Sequence, residues 1–270
     1  MKRDARPRAF PTTPDLHPAR ILGLCDTKHL ARRIILYESV DSTNVAAMAA
    51  ASDGASEGTL FVAEHQTLGR GRKGRRWLSS AGTSLTFSLL LRPKKKEEGL
   101  TAILALSVIE ALGGLLGGLA IKWPNDIFLK GKKLGGILAE SKDDAVVIGL
   151  GLNINEERGD IPAEIAGEAV SMRIAAKKAF DRGLVLCRIL VAFEGRYELY
   201  QNEGFAAFRR DVQDHLLYIG RPVVVESGGR KFTGTMIGIT NEGYLCLEVG
   251  GTERVFSSGD LTLRARSRPK

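Results

Sequence analysis

The chain has 270 residues, a length that suits one catalytic domain with one small appendage and excludes a single small module. Its 39 Lys and Arg against 31 Asp and Glu give a formal charge of +8, which favours nucleotides, acidic proteins or nucleic acid as partners without choosing between them. The three cysteines are widely separated and lack histidines at ligand spacing, so they indicate neither a disulfide framework nor a zinc site.

The N-terminal region is basic and has no apolar stretch of signal-peptide length, and no uncharged stretch of the chain is long enough to span a membrane. With the unpaired cysteines, this favours a cytoplasmic protein. Residues 1–20 mix Arg, Pro and Thr without periodicity, which predicts a basic disordered arm. A short helix is expected within residues 16–30.

A catalytic domain is predicted over residues 21–218. A strand at Ile34–Val40 leads into a helix whose start, residues 41–44, carries short polar side chains that cap free N–H groups. Residues 45–51 form the Ala-rich body of this helix, and residues 100–116, apolar nearly all round, predict a buried helix. Apolar residues at helical spacing predict a further helix at residues 184–200, and residues 205–217 continue that helical region. Alternation and short turns predict further strands at residues 60–66, 84–91, 120–123, 128–129, 134–141 and 145–155. These elements predict an α+β fold with a mixed, mostly antiparallel sheet packed with helices.

The composition changes at residues 219–222, where we place a domain boundary. The remaining residues, 219–270, contain short strands broken by Gly-Gly and Asn-Glu-Gly turns, at residues 223–226, 232–239, 244–249 and 252–256. This pattern predicts a small β-barrel domain.

Residues 67–83, which we call the glycine–arginine loop, match two nucleotide motifs imperfectly. Gly69, Gly71 and Gly74 satisfy G-x-G-x-x-G, but the chain continues into a strand where a dinucleotide fold needs a helix. Arginines stand where a phosphate loop has Lys-Ser/Thr, so both motifs are rejected. The loop instead combines exposed backbone N–H groups with guanidinium forks, which suits an anion such as a nucleotide phosphate. Alone, it is equally compatible with a solvated basic loop or an RNA-binding tract.

Residues 122–126, Lys-Trp-Pro-Asn-Asp, stand where a strand stops and form an ordinary turn when taken alone. Lys133 follows at the start of the next strand. That strand contains Gly135 and Gly136, which weaken it unless a ligand or another backbone must come close.

Four segments now stand in order: residues 41–44, 69–77, 122–126, and 133–140 followed by 149–153. This order resembles the biotin protein ligases over roughly residues 34–265, and the two central motifs are specific in combination. The resemblance implies a catalytic domain of the class II synthetase type, as in biotin and lipoate ligases, followed by a small Src-homology-3-like β-barrel.

The resemblance also implies an activity. Such ligases join the carboxylate of biotin to AMP, with release of pyrophosphate. A lysine amine of a biotin carboxyl carrier protein domain then attacks the biotinyl-adenylate. ATP and biotin are therefore expected as substrates, together with Mg²⁺, whose ligands the sequence does not assign. Because the first step brings two anions together, the site must supply cations.

The resemblance assigns catalytic roles to Lys133, Arg70 and Asp126, with Lys133 bridging the biotin carboxylate and the α-phosphate. Residues expected to contact biotin supply donors, acceptors and close backbone approach: Ser42, Thr43, Asn44, Gln66, Gly69, Arg70, Arg72, Lys133, Gly135 and Gly136. Residues expected to contact ATP supply charge, amides or a stacking ring: Arg70, Arg72, Trp77, Lys122, Asn125, Lys133, Asn153 and Arg264. Without the resemblance, Ser42 is a helix cap, Lys133 a turn lysine and Trp77 a core residue.

Two rival functions stay open. A lipoate or octanoate ligase has a related fold, although both central motifs match the biotin pattern better. A nucleic-acid-binding module would explain the positive charge and the terminal barrel, but the basic residues cluster in one loop and do not alternate with aromatics. The residues before Ser42 show no paired helices suited to operator DNA, so no operator binding is expected. An exposed sheet edge would allow either a homodimer or carrier docking.

Overall fold

The computed structural model of the chain describes residues 14–94 and 98–263. Seven strands form one sheet in the order β1-β2-β3-β7-β6-β5-β4. β1 and β2 are parallel and every other neighbouring pair is antiparallel, which confirms the mixed, mostly antiparallel class. The strands are β1 (Ile34–Val40), β2 (Leu60–Gln66), β3 (Ser84–Leu91), β4 (Leu119–Lys122), β5 (Asp126–Leu129), β6 (Lys132–Lys142) and β7 (Ala145–Asn153).

Helices cover both faces of this sheet. They are α1 (Pro18–Leu24), α2 (Thr43–Ser52), α3 (Leu100–Gly113), α4 (Met172–Ala176), α5 (Arg182–Glu203) and α6 (Arg209–Asp214). The region predicted as one helix at residues 205–217 is a 3-10 turn, Phe205–Phe208, followed by α6. Because side chains alternate along a strand, Leu60 and Val62 join the large core with α3 and α5, while Phe61 packs beneath α2. In the described part of the chain, no helix combines the length and apolarity needed to cross a membrane.

A second, five-stranded antiparallel sheet has the order β11-β10-β9-β8-β12. Its strands are β8 (Pro222–Ser227), β9 (Arg230–Ile239), β10 (Leu245–Val249), β11 (Thr252–Phe256) and β12 (Asp260–Leu263). The first strand, β8, begins shortly after α6 ends, and the boundary placed at residues 218 and 219 stays a prediction. Hydrogen bonds join the part of the chain before β8 to the second sheet. Trp123 Nε1 donates to Gly243 O at 3.1 Å, and Arg209 Nε donates to Ile239 O at 2.8 Å.

A buried ion cluster fastens the start of the described chain to the first sheet. The Arg182 side chain, fully buried, contacts the carboxylates of Asp15 and Glu64 at 2.9 Å and donates to Ser84 O at 3.0 Å. Leu16 is also completely buried. Residues 14–20 were therefore wrongly assigned to a disordered arm, because they form a 3-10 turn and the first part of α1. Residues 1–13 lie outside the described residues.

Replacing Arg182 tests this cluster. We expect Arg182→Met to lower the free energy of unfolding by about 3–5 kcal/mol, because it removes the cation that pairs with the buried Glu64 carboxylate and the partly buried Asp15 carboxylate. Arg188→Met, on the exposed side of the same helix, should change it by less than about 0.5 kcal/mol. Urea unfolding measures both. Equal, small effects would show that the cluster contributes nothing to stability.

Glu156 is a second buried acid, next to the ion cluster. It is 4% exposed, and Ser84 Oγ donates to its carboxylate. Burial raises its pKa, and the Ser84 hydrogen bond only partly offsets that effect. With the folded-state pKa above the unfolded one, its contribution to stability is fully present below the unfolded-state pKa and is lost as the pH rises through the folded-state value.

Glu156→Gln should therefore stabilise the fold relative to the native chain as the pH rises, because the variant has no carboxyl to ionise in the interior. Urea unfolding at about pH 5 and about pH 8 measures the difference. The neighbouring, exposed Glu157→Gln serves as the control. A stability difference that is independent of pH would contradict the raised pKa.

Candidate active site

A cleft of about 200 Å³ opens where the first sheet, the glycine–arginine loop and β12 meet. The first turn of α2 and the end of β2 form one end of it. The turn between β4 and β5 and the start of β6 form the other. Among the residues lining it are Ser42, Thr43, Asn44, Gln66, Arg70, Arg72, Trp77, Lys122, Asn125, Asp126, Lys133, Gly136 and Asp260.

The α2 end of the cleft is a network of hydroxyl and amide groups. Gln66 Oε1 accepts hydrogen bonds from the backbone N of Thr43 at 2.8 Å and from its hydroxyl at 3.2 Å. Ser88, on the neighbouring strand β3, lies with its Oγ 2.7 Å from Thr43 Oγ1. Ser42 precedes α2 with an extended backbone and makes no side-chain cap. This end therefore offers donors and acceptors inside a largely buried wall.

Asn44 belongs to this network but is fully engaged by the protein. Its Oδ1 accepts from Ser88 Oγ at 2.6 Å. Its Nδ2 donates to Glu140 Oε2 at 2.9 Å and to Leu138 O at 3.2 Å. A Cβ at Gly149 would lie 2.1 Å from Asn44 Oδ1, so only glycine fits opposite it. Asn44 thus positions its neighbours and holds α2 against β6.

The glycine–arginine loop folds back on itself as a narrow hairpin. Gly69 O accepts from Trp77 N at 2.9 Å, and Gly71 N donates to Arg75 O at 2.7 Å. A Cβ at Gly69 would lie 2.5 Å from the carbonyl oxygen of Trp77, so the close approach of the two arms requires glycine there. A 3-10 turn, Arg72–Gly74, forms the tip.

Carboxylates from both sheets hold this hairpin. Arg70 Nη1 lies 3.2 Å from Glu140 Oε1 on β6. Arg75 and Lys73 pair with Asp260 on β12 at 2.8 Å and 3.2 Å. Arg72 Nη1 donates to Gly259 O at 3.3 Å, just before the same strand. The second sheet therefore supplies part of the site.

The opposite end of the cleft gathers positive charge. Lys133 Nζ pairs with Asp126 Oδ1 at 2.8 Å. Burial lowers the pKa of Lys122, and the proximity of Lys133 lowers it further against the opposing effect of Asp126. Burial likewise lowers the pKa of Arg72. Because burial removes part of the water around these cations, a bound anion would stabilise their charge.

Trp77 forms one wall between the two ends. Its ring lies against the backbone of β7, where a Cβ at Gly151 would come within 2.3 Å of it. Lys133 Nζ is 5.9 Å from the ring centroid. Among the described residues, the buried indole Nε1 has no hydrogen-bond partner. Only glycine at position 151 gives the indole room to lie flat.

Most of the predicted site residues line this cleft, but some do not. Gly69 and Gly135 lie behind the lining, where they allow close backbone approach. Asn153 is turned away and donates to Val170 O at 3.1 Å. Asn125 lines the cleft, but its Nδ2 donates to Ile137 O at 2.6 Å. Arg264 lies outside the described residues.

The sequence reasoning missed several residues of this site. Ser88, Glu140, Asp260, Gly149 and Gly151 all contact residues that line the cleft. Ser88 had a signal in the sequence, because polar residues alternate along β3 up to it. The two glycines stood in the recognised segment 149–153 without an assigned role. Asp260 gave no signal in the sequence, because its partners Lys73 and Arg75 lie almost two hundred residues earlier.

Two family models match this chain. The model of the biotin/lipoate A/B protein ligase family matches residues 36–153, and the model of the biotin protein ligase C terminal domain matches residues 218–264. The cleft lies where the two matched segments meet, since Asp260 of the second segment contacts the loop of the first.

Curated relatives and solved structures agree with these matches. The bifunctional ligase/repressor BirA of Bacillus subtilis is 36% identical over 242 residues, covering 86% of this chain and 74% of the relative. The biotin--[acetyl-CoA-carboxylase] ligase of Mycobacterium tuberculosis is 34% identical, covering 85% and 88%. The biotin protein ligase of Aquifex aeolicus, solved with biotin and ATP, superposes with a TM-score of 0.77 at 34% identity, covering 86% and 99%. The Leishmania major enzyme, solved with biotinyl-5-AMP, gives a TM-score of 0.55 at 28% identity, covering 84% and 99%. The chain is a ligase that belongs to the biotin protein ligase family.

Proposed function

We propose that this chain condenses biotin with ATP to biotinyl-5'-AMP and transfers the biotin to a lysine of a biotin carboxyl carrier protein domain. One observation carries the proposal: Lys122, Lys133 and Arg72 converge at one end of a cleft whose other end presents hydroxyl and amide groups. The polar end suits the ureido ring of biotin, and the cationic end suits a carboxylate next to a phosphate. The names of the relatives support the same substrates.

The first step has an electrostatic obstacle. Two unit negative charges about 4 Å apart repel by roughly 4 kcal/mol at an effective dielectric of 20. The biotin carboxylate oxygen must attack the α-phosphorus of ATP, so that a C–O–P bond forms and pyrophosphate leaves. Cations fixed at the meeting point lower this barrier, because they need not reorganise during the reaction.

Lys133 is the residue that we place at the meeting point. Its ammonium pairs with Asp126 and is about one third exposed, so a ligand in the cleft reaches it. A compact ammonium can donate to a carboxylate oxygen and a phosphate oxygen at once. Asp126 holds the lysine in place and would orient the incoming carrier amine in the second step.

Arg70 and Arg72 would hold the remaining phosphate and carboxylate oxygens. Arg72 faces the cleft while its guanidinium is fixed on Gly259 O, and Arg70 is fixed on Glu140. A closed glycine–arginine loop would shield the adenylate from water, which hydrolyses a mixed anhydride.

Mg²⁺ would enter the cleft as part of the MgATP substrate. Within the described ranges, no cluster of three or more His, Cys, Asp or Glu side chains is suited to hold a metal. An ion carried by phosphate oxygens needs only one or two protein carboxylates. Asp126, which pairs with Lys133, is the carboxylate that would contact this ion.

We propose a biotin-specific ligase, with a lipoate or octanoate ligase of related fold as the alternative; the family matches do not support the nucleic-acid-binding module. Some relatives are bifunctional ligase/repressors, but for this chain we propose the ligase activity alone, without binding to operator DNA. The carrier domain is the proposed partner and the cytoplasm the proposed location. A homodimer remains a proposal as well.

Lys133→Ala tests the adenylation site. We expect biotin-dependent exchange of labelled pyrophosphate into ATP to fall about 10²- to 10³-fold, the loss seen when one fixed electrostatic donor is removed. Lys132→Ala, next to it and exposed on β6, should exchange at the native rate. If both variants exchange normally, Lys133 has no role in the step.

A second measurement tests the acid and the acceptor. With biotin, ATP and an isolated carrier domain, we expect the carrier mass to rise by one biotinyl group on one lysine. Lipoate and octanoate should give no exchange and no transfer. Transfer of either acid in preference to biotin would support the rival ligase. No exchange with any acid would contradict the proposed adenylation step.

A further inference from the structure

Glu140 lies between the glycine–arginine loop and the first turn of α2, the two elements that border the polar end of the cleft. It lies on β6 with 29% of its side chain exposed. One carboxylate oxygen is 3.2 Å from Arg70 Nη1, on the glycine–arginine loop. The other accepts from Asn44 Nδ2 at 2.9 Å, in the first turn of α2. One carboxylate therefore joins two elements that are otherwise separate in the chain.

The contacts continue without a break to the polar end of the cleft. Asn44 Oδ1 accepts from Ser88 Oγ at 2.6 Å, and Ser88 lies 2.7 Å from Thr43 Oγ1. Thr43 is in turn bonded to Gln66. A continuous series of groups at hydrogen-bond distance therefore connects Gln66, at the polar end, with Arg70.

Arg70 and Asn44 also form part of the wall of the cleft. Arg70 and Asn44 line both the cleft and a shallow groove that runs outward along α2, beside Met48 and Lys142. Glu140 lines the groove. The Arg70 side chain, paired with Glu140, therefore lies between the cleft and the groove.

We propose that Glu140 is a positioning residue that couples occupancy of the biotin end to closure of the glycine–arginine loop. This inference rests on the proposed function. Glu140 acts through Asn44 and Arg70 and makes no contact with the reacting atoms. Asp260 holds the loop from the second sheet, and Glu140 holds it from the first.

Glu140→Gln separates the two contacts, because glutamine keeps an acceptor for Asn44 and loses the charge that faces Arg70. We expect the KM for biotin to rise about three- to fivefold, the size of a partly exposed ion pair. The KM for ATP and the unfolding temperature should stay at native values. Glu110→Gln, which removes a glutamate paired with Arg196 away from the cleft, should change neither KM.

Trypsin supplies a readout that a merely structural role would not move. It cleaves after Lys and Arg, and the loop contains Arg70, Arg72, Lys73, Arg75 and Arg76. Saturating biotin should protect the loop in the native chain and in Glu110→Gln. It should not protect the loop in Glu140→Gln, even though that variant still binds biotin at this concentration.

A double-mutant cycle completes the test. If the coupling runs through the ion pair, Arg70→Gln and Glu140→Gln together should raise the KM for biotin no more than Arg70→Gln alone. Additive effects, or native protection of the loop in Glu140→Gln, would overturn the inference. Absence of biotin-dependent exchange in the native chain would instead overturn the proposed function, so the two failures are distinguishable.

Discussion

Two carboxylates from different sheets hold one loop of four arginines and one lysine over a cleft, and the arrangement of the site depends on that double attachment. Glu140 on β6 pairs with Arg70, and Asp260 on β12 pairs with Arg75 and Lys73. Without these acids, five basic side chains within a short hairpin would repel one another. With them, the hairpin has a defined position, and Arg72 is directed into the cleft. The second sheet is therefore part of the active site.

The cleft also keeps its cations in a state that favours anions. Lys133 is paired with Asp126, so its position is set before a ligand arrives. Lys122 and Arg72 are partly buried, and burial lowers the pKa of both because it removes the water that stabilises their charge. A bound carboxylate and phosphate would restore that stabilisation. The cations that would offset the repulsion between carboxylate and phosphate are thus already fixed in the folded structure, so they need not reorganise during the reaction.

Local patterns predicted much of the fold. The bounds of β1, β2 and β3 agree with the predicted strands, because each is a short run of strand-forming residues bounded by turn or helix-start residues. The first turn of the described chain was missed, because Asp15 and Leu16 are fixed by Arg182 and the core, far away in sequence. The break between the 3-10 turn and α6 was also missed, since tertiary contacts decide it.

The sequence predicted which residues lie near the cleft better than it predicted what their side chains contact. Lys133, Asp126, Arg70 and Arg72 came from motif order and do line one cleft. Asn44 also lines it, but its side chain is occupied by Ser88, Leu138 and Glu140, which a sequence does not show. Asn153 was assigned to the site because of its motif, yet its amide donates to Val170 O and the residue does not line the cleft. Hydrogen-bond partners depend on register and strand pairing, and these appear only in three dimensions.

A crystal structure with a non-hydrolysable analogue of biotinyl-5'-AMP would show where the biotin carboxyl group and the α-phosphate meet in this cleft. The account predicts the acyl–phosphate junction at the cationic end of the cleft, with Lys133 Nζ within about 3.2 Å of an oxygen on each side of it. It also predicts the ring end against Thr43 and Gln66. A ligand bound elsewhere, or bound in the cleft with Lys133 still paired only to Asp126, would contradict the account.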